Sequence, residues 1–322
     1  MPCVSYLLPF RSHKVPSEEF TDYVNALSEY AEVLLVDASP PPIFNAVGAR
    51  CVHAVRHVGP DADLASLTNG KVRGVLTGLR LASHETVVIA DDDVRHTRET
   101  LDALARLLQD SDVIRPQNYF DPLPWHARLD TGRILINRMT GGDWPGTLAV
   151  RRSTLLRSRG YDGNVLFENL ELVRTVEAVG GRSISAPDLF VRRLPPETPH
   201  FWGQRVRQAY DEFARPPRLI AALSILPLLA LASAVGRGTV VVAALVGGTI
   251  VVAAAGRHRD GGNRFFPLST VFWAPLWLSE RAVAAWLALG SRLLRGGVEY
   301  HGEIVRRAAH STRTLQRRLE GT

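Results

Sequence analysis

Cysteine is almost missing from this sequence. Cys3 and Cys51 are the only two in 322 residues. That is too few for a disulfide framework or a zinc knuckle, and both read as small buried residues. Lysine is nearly as scarce. Only Lys14 and Lys71 stand among 38 basic side chains, and with so much Ala, Val and Gly this points to a GC-rich genome rather than to a function. No secretory leader is expected at the start. Met1 to Pro9 has neither a basic opening nor a small-residue cleavage site, so the polar part of the chain is expected in the cytoplasm. Internal repeats and nucleic-acid recognition motifs are missing too. The basic excess, net +6 with a pI near 9.7, is therefore not assigned to nucleic acid.

What is there divides in two. With 46% hydrophobic and 22% charged residues, the chain belongs with folded proteins. Its apolar content is uneven. Residues 1–215 read as one soluble catalytic domain and 216–322 as a membrane region. The runs 219–235 and 239–255 each approach the minimum of roughly 17 residues for a transmembrane helix. Gly236, Arg237 and Gly238 make the turn of a tight hairpin, and Ala243, Ala244, Gly247 and Gly248 allow close helix packing. Residues 265–289 contain Pro267, Pro275, Glu280, Arg281 and three tryptophans, which fits an interfacial or re-entrant segment. Its tryptophans are expected at headgroup level, with Glu280 and Arg281 facing water or the catalytic domain. Arginines gather beside and after these runs, from Arg257 to the tail at Arg317 and Arg318. That bias places the loop after the hairpin, the tail and the catalytic domain on the cytoplasmic face of the cell (inner) membrane. Two short spans leave no polar path for a transported solute.

Before residue 115 the sequence alternates short apolar runs with amphipathic ones. Strands are expected at 4–8, 33–36, 52–58, 86–90 and from 113. Helices are expected at 20–30, 71–82 and after a Thr97 cap. Such alternation implies a parallel α/β sheet covered on both faces, with ligands at the carboxyl ends of its strands. Pro9 to Arg11, Asp37 and Asp91 to Asp93 would then line one crevice. Residues 116–145 show no periodicity and read as a long functional loop. A strand over 146–150 and a helix over 171–179 follow.

Asp91, Asp92 and Asp93 carry the strongest chemical signal. Three carboxylates at a strand end repel one another unless a cation neutralises them. Mg2+ or Mn2+ takes such oxygen ligands and bridges them to substrate phosphates. A solvated acidic turn that caps the next helix is the alternative.

Asn69-Gly70-Lys71-Val72 through Asp91-Asp92-Asp93-Val94 resembles the donor half of family-2 glycosyltransferases with the GT-A fold, in particular the ceramide-glucosyltransferase-like branch. The resemblance implies a Rossmann-like nucleotide-diphospho-sugar transferase domain followed by C-terminal membrane helices. It implies that Asp91 and Asp93 form the metal-binding Asp-x-Asp motif, with Asp91 facing the sugar or nucleoside. Pro9, Arg11, Asp37, Lys71, Arg73 and Asp92 would line the donor site, Asp37 at the base and Lys71 and Arg73 at the diphosphate. Trp144-Pro145-Gly146, Gly160-Tyr161-Asp162 and Phe167-Glu168-Asn169-Leu170-Glu171 resemble the acceptor half. The family's general base, an Asp, is replaced here by Asn169, and an amide cannot take a proton. Glu168 is the first candidate base, with Glu171 and Asp143 behind it. Gln204-Arg205-Val206-Arg207-Gln208 resembles the family's Gln-x-x-Arg-Trp motif without its Trp, so Gln204 and Arg207 are expected at the donor diphosphate. Gly296 to Gly302, which includes His301, weakly resembles a segment that follows the membrane helices in some relatives.

The activity implied is inverting sugar transfer from a nucleoside-diphosphate sugar, UDP-linked by the resemblance, to a lipid or lipid-linked acceptor. The competing reading is a catalytically weak membrane scaffold that binds nucleotide sugar.

Overall fold

The computed structural model describes residues 4–300 and 302–320. Cys3 and His301 lie outside the described residues. The described chain forms two compact units. The first holds residues 4–117, 144–193 and 310–320, and the second holds 118–143 and 194–309.

The first unit is built on β1 (Val4–Phe10), β2 (Glu32–Asp37), β3 (Val55–Val58), β4 (Thr86–Ala90), β5 (Val94–Arg95), β6 (Val113–Phe120), β7 (Thr147–Arg151) and β8 (Ser183–Arg193). They form one sheet in the order β3-β2-β1-β4-β7-β6-β8-β5. Alternate residues of β1 feed two cores, as the strand period of two requires. Tyr6, Leu8 and Phe10 join Val33 and Leu35 on one face, while Leu7 joins Leu34, Val72 and Val75 on the other. β3, β2, β1 and β4 are parallel. β7 runs antiparallel to both β4 and β6, which corrects the expectation of a parallel sheet. Between β6 and β7 the chain leaves for the second unit instead of crossing over the sheet, so β7 returns in the opposite sense. Because β1, β2 and β4 are parallel, their carboxyl ends still share one edge, where Arg11, Asp37 and Asp91 follow.

The helix Gly70–Leu81 is set by close approach. Asn69 caps it, accepting from the Lys71 and Val72 amides. A Cβ on Gly74 would lie 2.8 Å from Pro9 Cβ, and one on Gly78 would lie 2.8 Å from Leu7. Two glycines one turn apart thus let the helix rest on β1, and this fixes Lys71 and Arg73 over the strand ends.

In the second unit the expected loop at 116–145 contains a helix, Trp125–Met139. Its buried face includes Leu129, Ile134 and Leu135 but also Asp130, Asn137 and Arg138. A helix enclosed on most sides, with polar groups satisfied inside, shows no apolar stripe to betray it. Gly132 meets the Ala274 backbone, where an added Cβ would come within 2.8 Å. Arg138, 1% exposed, donates to the Gly256 carbonyl at 2.8 Å and to the Arg259 carbonyl. It thereby satisfies the carboxyl end of the helix Gly238–His258. These contacts tie 118–143 to the later helices of the same unit.

Two helices, Pro216–Ala234 and the run from Gly238, are long and apolar enough to cross a membrane. Their side chains are largely open, with Ile220 62% and Val251 68% exposed. Gly236 makes the turn between them with φ +73°. The segment expected to be interrupted becomes a short 3-10 turn and then one continuous helix, Ala274–Arg295, because Pro275 falls in its first turn where no amide is needed. Glu280 and Arg281 turn inward, towards Arg205, Asp130 and Arg133, rather than to water. Trp277 is buried while Trp286 is open. Val298–Tyr300 and Glu303–Val305 pair as a small antiparallel ribbon.

Candidate active site

The site in the first unit begins where β4 stops. The Asp91 amide donates to the Gly146 carbonyl at 2.7 Å, which ties the triplet to the start of β7. A Cβ on Gly146 would lie 2.5 Å from Asp91 Oδ2, so only glycine leaves that carboxylate in place. Arg95 buttresses the turn from behind. It donates to the Asp92 carbonyl at 2.7 Å and is itself held by Glu19 at 2.9 Å.

Lys71 sits between two acids. Its Nζ is 2.6 Å from Asp91 Oδ1 and 2.9 Å from Glu168 Oε1, with Asn169 Oδ1 at 3.4 Å. Burial alone would lower the ammonium's pKa, but Asp91 and Glu168 outweigh it and hold the pKa above the usual value. The one lysine in this unit besides Lys14 therefore bridges the two carboxylates. Tyr161 is buried beside the same group.

On the other side, Arg193 Nε is 2.9 Å from Asp93 Oδ2, and its Nη2 is 3.5 Å from Asp91 Oδ2. Burial raises Asp93, an effect Arg193 opposes. Burial and then the neighbouring Asp93 and Asp91 push Asp92 up to about 6. Asp93 Oδ1 is buried without a hydrogen-bond partner. Hard oxygen donors, crowded like charges and an unsatisfied carboxylate oxygen fit a divalent cation at Asp91 and Asp93.

The β2 end supplies a second feature of the same unit. Asp37 Oδ2 lies 3.0 Å from His57 Nε2, and Oδ1 accepts the Ser39 amide at 2.8 Å. Burial raises the Asp37 carboxyl, yet the bonds from His57 and Ser39 outweigh it and leave it below the usual range. His57 stacks on Phe44 with ring centroids 4.1 Å apart. Arg11, Asp37, Ser39, Phe44, Pro60 and Arg73 line a cleft of about 500 Å3. Arg73 Nε is buried there without a hydrogen-bond partner, as an arginine awaiting an anion would be. Pro9 packs against Gly74.

Other expected site residues have different surroundings. Glu171 is fully buried (0% exposed), and both its oxygens are engaged by His310 at 2.7 and 2.8 Å. It is a structural acid, not an available base. Asp143, Gln204 and Arg207 belong to the second unit. Asp143 is committed to Arg133 at 2.9 Å and Asn137 at 2.8 Å. Gln204 bonds Gln208 at 3.3 Å and also His200. Arg207 lies over the Tyr300 ring at 5.0 Å. Arg205, the residue after Gln204 in the motif, is the buried one, paired with Asp130 at 2.9 Å. Sequence reasoning missed Arg193, Arg95 and His310. Arg193 ends β8 in an ordinary Arg192-Arg193 pair, and only strand placement brings it to Asp91 and Asp93.

No protein-family description and no characterised protein sequence matches the chain. Solved structures do. A mannosyltransferase from Pyrobaculum calidifontis, in complex with GDP-Man and Mn2+, is 19% identical, with a TM-score of 0.50 over 88% of this chain and 87% of that one. Glucosyl-3-phosphoglycerate synthase from Mycobacterium tuberculosis, with Mn2+, UDP and phosphoglyceric acid, is 15% identical at a TM-score of 0.42 over 62% and 73%. Mannosyl-3-phosphoglycerate synthase from Rubrobacter xylanophilus is 13% identical at a TM-score of 0.42 over 64% and 71%. The first likeness establishes the fold: a mixed α/β GT-A type, here carrying two long apolar helices towards its C-terminus.

Proposed function

We propose that the chain is a membrane-anchored, metal-dependent inverting glycosyltransferase. It would move a sugar from a nucleoside-diphosphate sugar to a lipid or lipid-linked acceptor. The observation that carries this reading is the junction of Lys71, Asp91 and Glu168, with Asp93 and Arg193 beside it. One edge of the sheet thus offers a candidate cation site, a set of fixed positive groups and a carboxylate held by Lys71. The GT-A likeness supports the same reading, since the Pyrobaculum mannosyltransferase was solved with a nucleotide sugar and Mn2+.

In this reading Asp91 and Asp93 hold Mg2+ or Mn2+, which offsets charge on the departing diphosphate. Arg73, with Arg11 at the rim, binds the phosphates, and the cleft at Asp37 receives the base. Glu168, positioned by Lys71, takes the proton of the acceptor hydroxyl. The hydroxyl oxygen bonds to the anomeric carbon as the bond from that carbon to the diphosphate oxygen breaks. The diphosphate leaves with the electron pair, and the configuration inverts.

Membrane attachment through Pro216–Ala234 and the following apolar helix is supported by their length and open apolar faces. An even number of crossings is supported by the chain's return: residues 310–320 belong to the same unit as 4–117. Both termini would then be cytoplasmic, with Gly236 to Gly238 on the far side. Asn169 in the family's base position favours one rival, a nucleotide-sugar-binding scaffold of low activity.

Membranes containing the protein should transfer or hydrolyse sugar from one member of a panel of nucleoside-diphosphate sugars when Mn2+ is present. Donor binding without turnover would favour the scaffold, and neither binding nor turnover would overturn the reading. A reporter fused after Thr322 should be active only on the cytoplasmic side.

A further inference from the structure

After β8 the chain passes through the second unit and re-enters the first at His310. There it grips one turn of the helix Glu168–Ala178. The His310 amide donates to Glu171 Oε2 at 2.7 Å, and its Nδ1 lies 2.8 Å from Glu171 Oε1. Arg174, on the same helix, donates to the His310 carbonyl at 2.6 Å. Both partners are out of water, Glu171 at 0% and His310 at 4% exposure. The helix Thr312–Glu320 follows, with Leu315 buried, and Arg318 reaches Asp162 at 3.2 Å.

Asp162, Glu171 and His310 also bring three potential metal-ligand atoms within 4.8 Å of one another. A metal is not required to satisfy them. Both Glu171 oxygens and His310 Nδ1 already bond each other, and the Arg318 guanidinium adds positive charge beside Asp162.

Glu171 stands one helical turn from Glu168, whose carboxylate meets Lys71. A buried carboxylate oxygen that loses its partner must move or be rehydrated, and without the imidazole Glu171 would keep only the His310 amide. Movement of Glu171 would carry the first turn of the helix, and Glu168, with it. We propose that His310 is a positioning residue: it locks the helix Glu168–Ala178 so that Glu168 is held on Lys71 beside Asp91. The catalytic unit is complete only when the segment beyond the apolar helices has folded back onto it, so competence depends on correct passage of the chain through the membrane region. The kinetic consequence rests on the proposed role of Glu168, whereas the lock itself does not.

The test uses the full chain in membranes or detergent. In His310→Ala, amide hydrogen exchange over residues 168–173 should speed up. Turnover should fall about tenfold or more with donor KM changed less than about twofold, as expected for a misplaced reacting group. His310→Asn keeps a side-chain donor for Glu171 and should restore both exchange protection and most of the turnover. His310→Ser gives an intermediate reading should alanine prevent folding. Unchanged exchange in the alanine variant, or asparagine no better than alanine, overturns the lock. If exchange follows this order while even the parent chain turns over no sugar donor, the lock stands and the glycosyltransferase reading fails.

Discussion

The two units place their charges differently. In the first, acids and bases meet at the ends of strands, half open to water and incompletely matched. Asp93 Oδ1 lacks a hydrogen bond, Arg73 Nε lacks one, and like charges stand side by side. In the second, the ions lie deeper, and several of their atoms also lack a hydrogen bond, Glu280 Oε1 and Arg281 Nε among them. Arg205 pairs with Asp130, Arg133 with Asp143, and Arg138 closes the end of a long apolar helix. An unmatched group at an open strand end can take a ligand, whereas a deeply buried ion is cut off from one and bears on stability. Substitutions should therefore cost activity in one unit and stability in the other.

Glu168→Gln should show the largest effect. Loss of a positioned proton acceptor is worth roughly 100- to 10,000-fold in rate, with donor binding retained; a fall under about tenfold would move the base elsewhere. Asp93→Ala comes next. Losing several kcal/mol of charge stabilisation should cut transfer by about a thousandfold. Removing a crowded acid should leave the thermal midpoint without added metal unchanged or higher. Full turnover in excess chelator would sink the cation assignment.

Asp130→Ala tests the contrast from the other side. It strands the Arg205 guanidinium in a buried position, which costs about 3–5 kcal/mol, read by urea denaturation in detergent. If this variant lost only activity, the division between the units would be wrong. Arg193→Gln should be milder. It removes a charge-assisted bond to Asp93, worth about 1.5–3 kcal/mol, so the apparent Mn2+ and donor affinities should shift together by about tenfold.

The smallest effect is the pH response of Asp37. Its folded pKa lies below the usual carboxylate value, burial being outweighed by His57 and Ser39. Its contribution to stability is therefore complete above the unfolded pKa of about 3.9 and is lost as pH falls through the lower folded value. Asp37→Asn should flatten that acid limb of the stability curve by removing this contribution, which lowers stability at neutral pH.

Much of the donor half was legible in the sequence. Thr86–Ala90, its abrupt end at Asp91, the Thr97 cap and the Asn69-Gly70-Lys71 helix start all follow from local rules: apolar runs make strands, and side-chain acceptors start helices. The two apolar helices were legible for the same reason, since a membrane-length run needs no partner to be recognised. The helix Trp125–Met139 was not, because its surroundings, rather than its own pattern, make it helical. The strand sense of β7, the arrival of Arg193 at Asp93 and the grip of His310 on Glu171 were equally hidden. Each joins residues far apart in the chain, by 100 positions for Arg193 and Asp93 and 139 for His310 and Glu171. The sequence by itself determined the elements and the acids at their ends, because propensity, capping and apolar period act over a few residues. Which acid stays free to react and which becomes part of the frame was decided only by the tertiary structure. Ionisation and hydrogen bonding depend on the groups that folding brings within about 4 Å, and no local pattern encodes them.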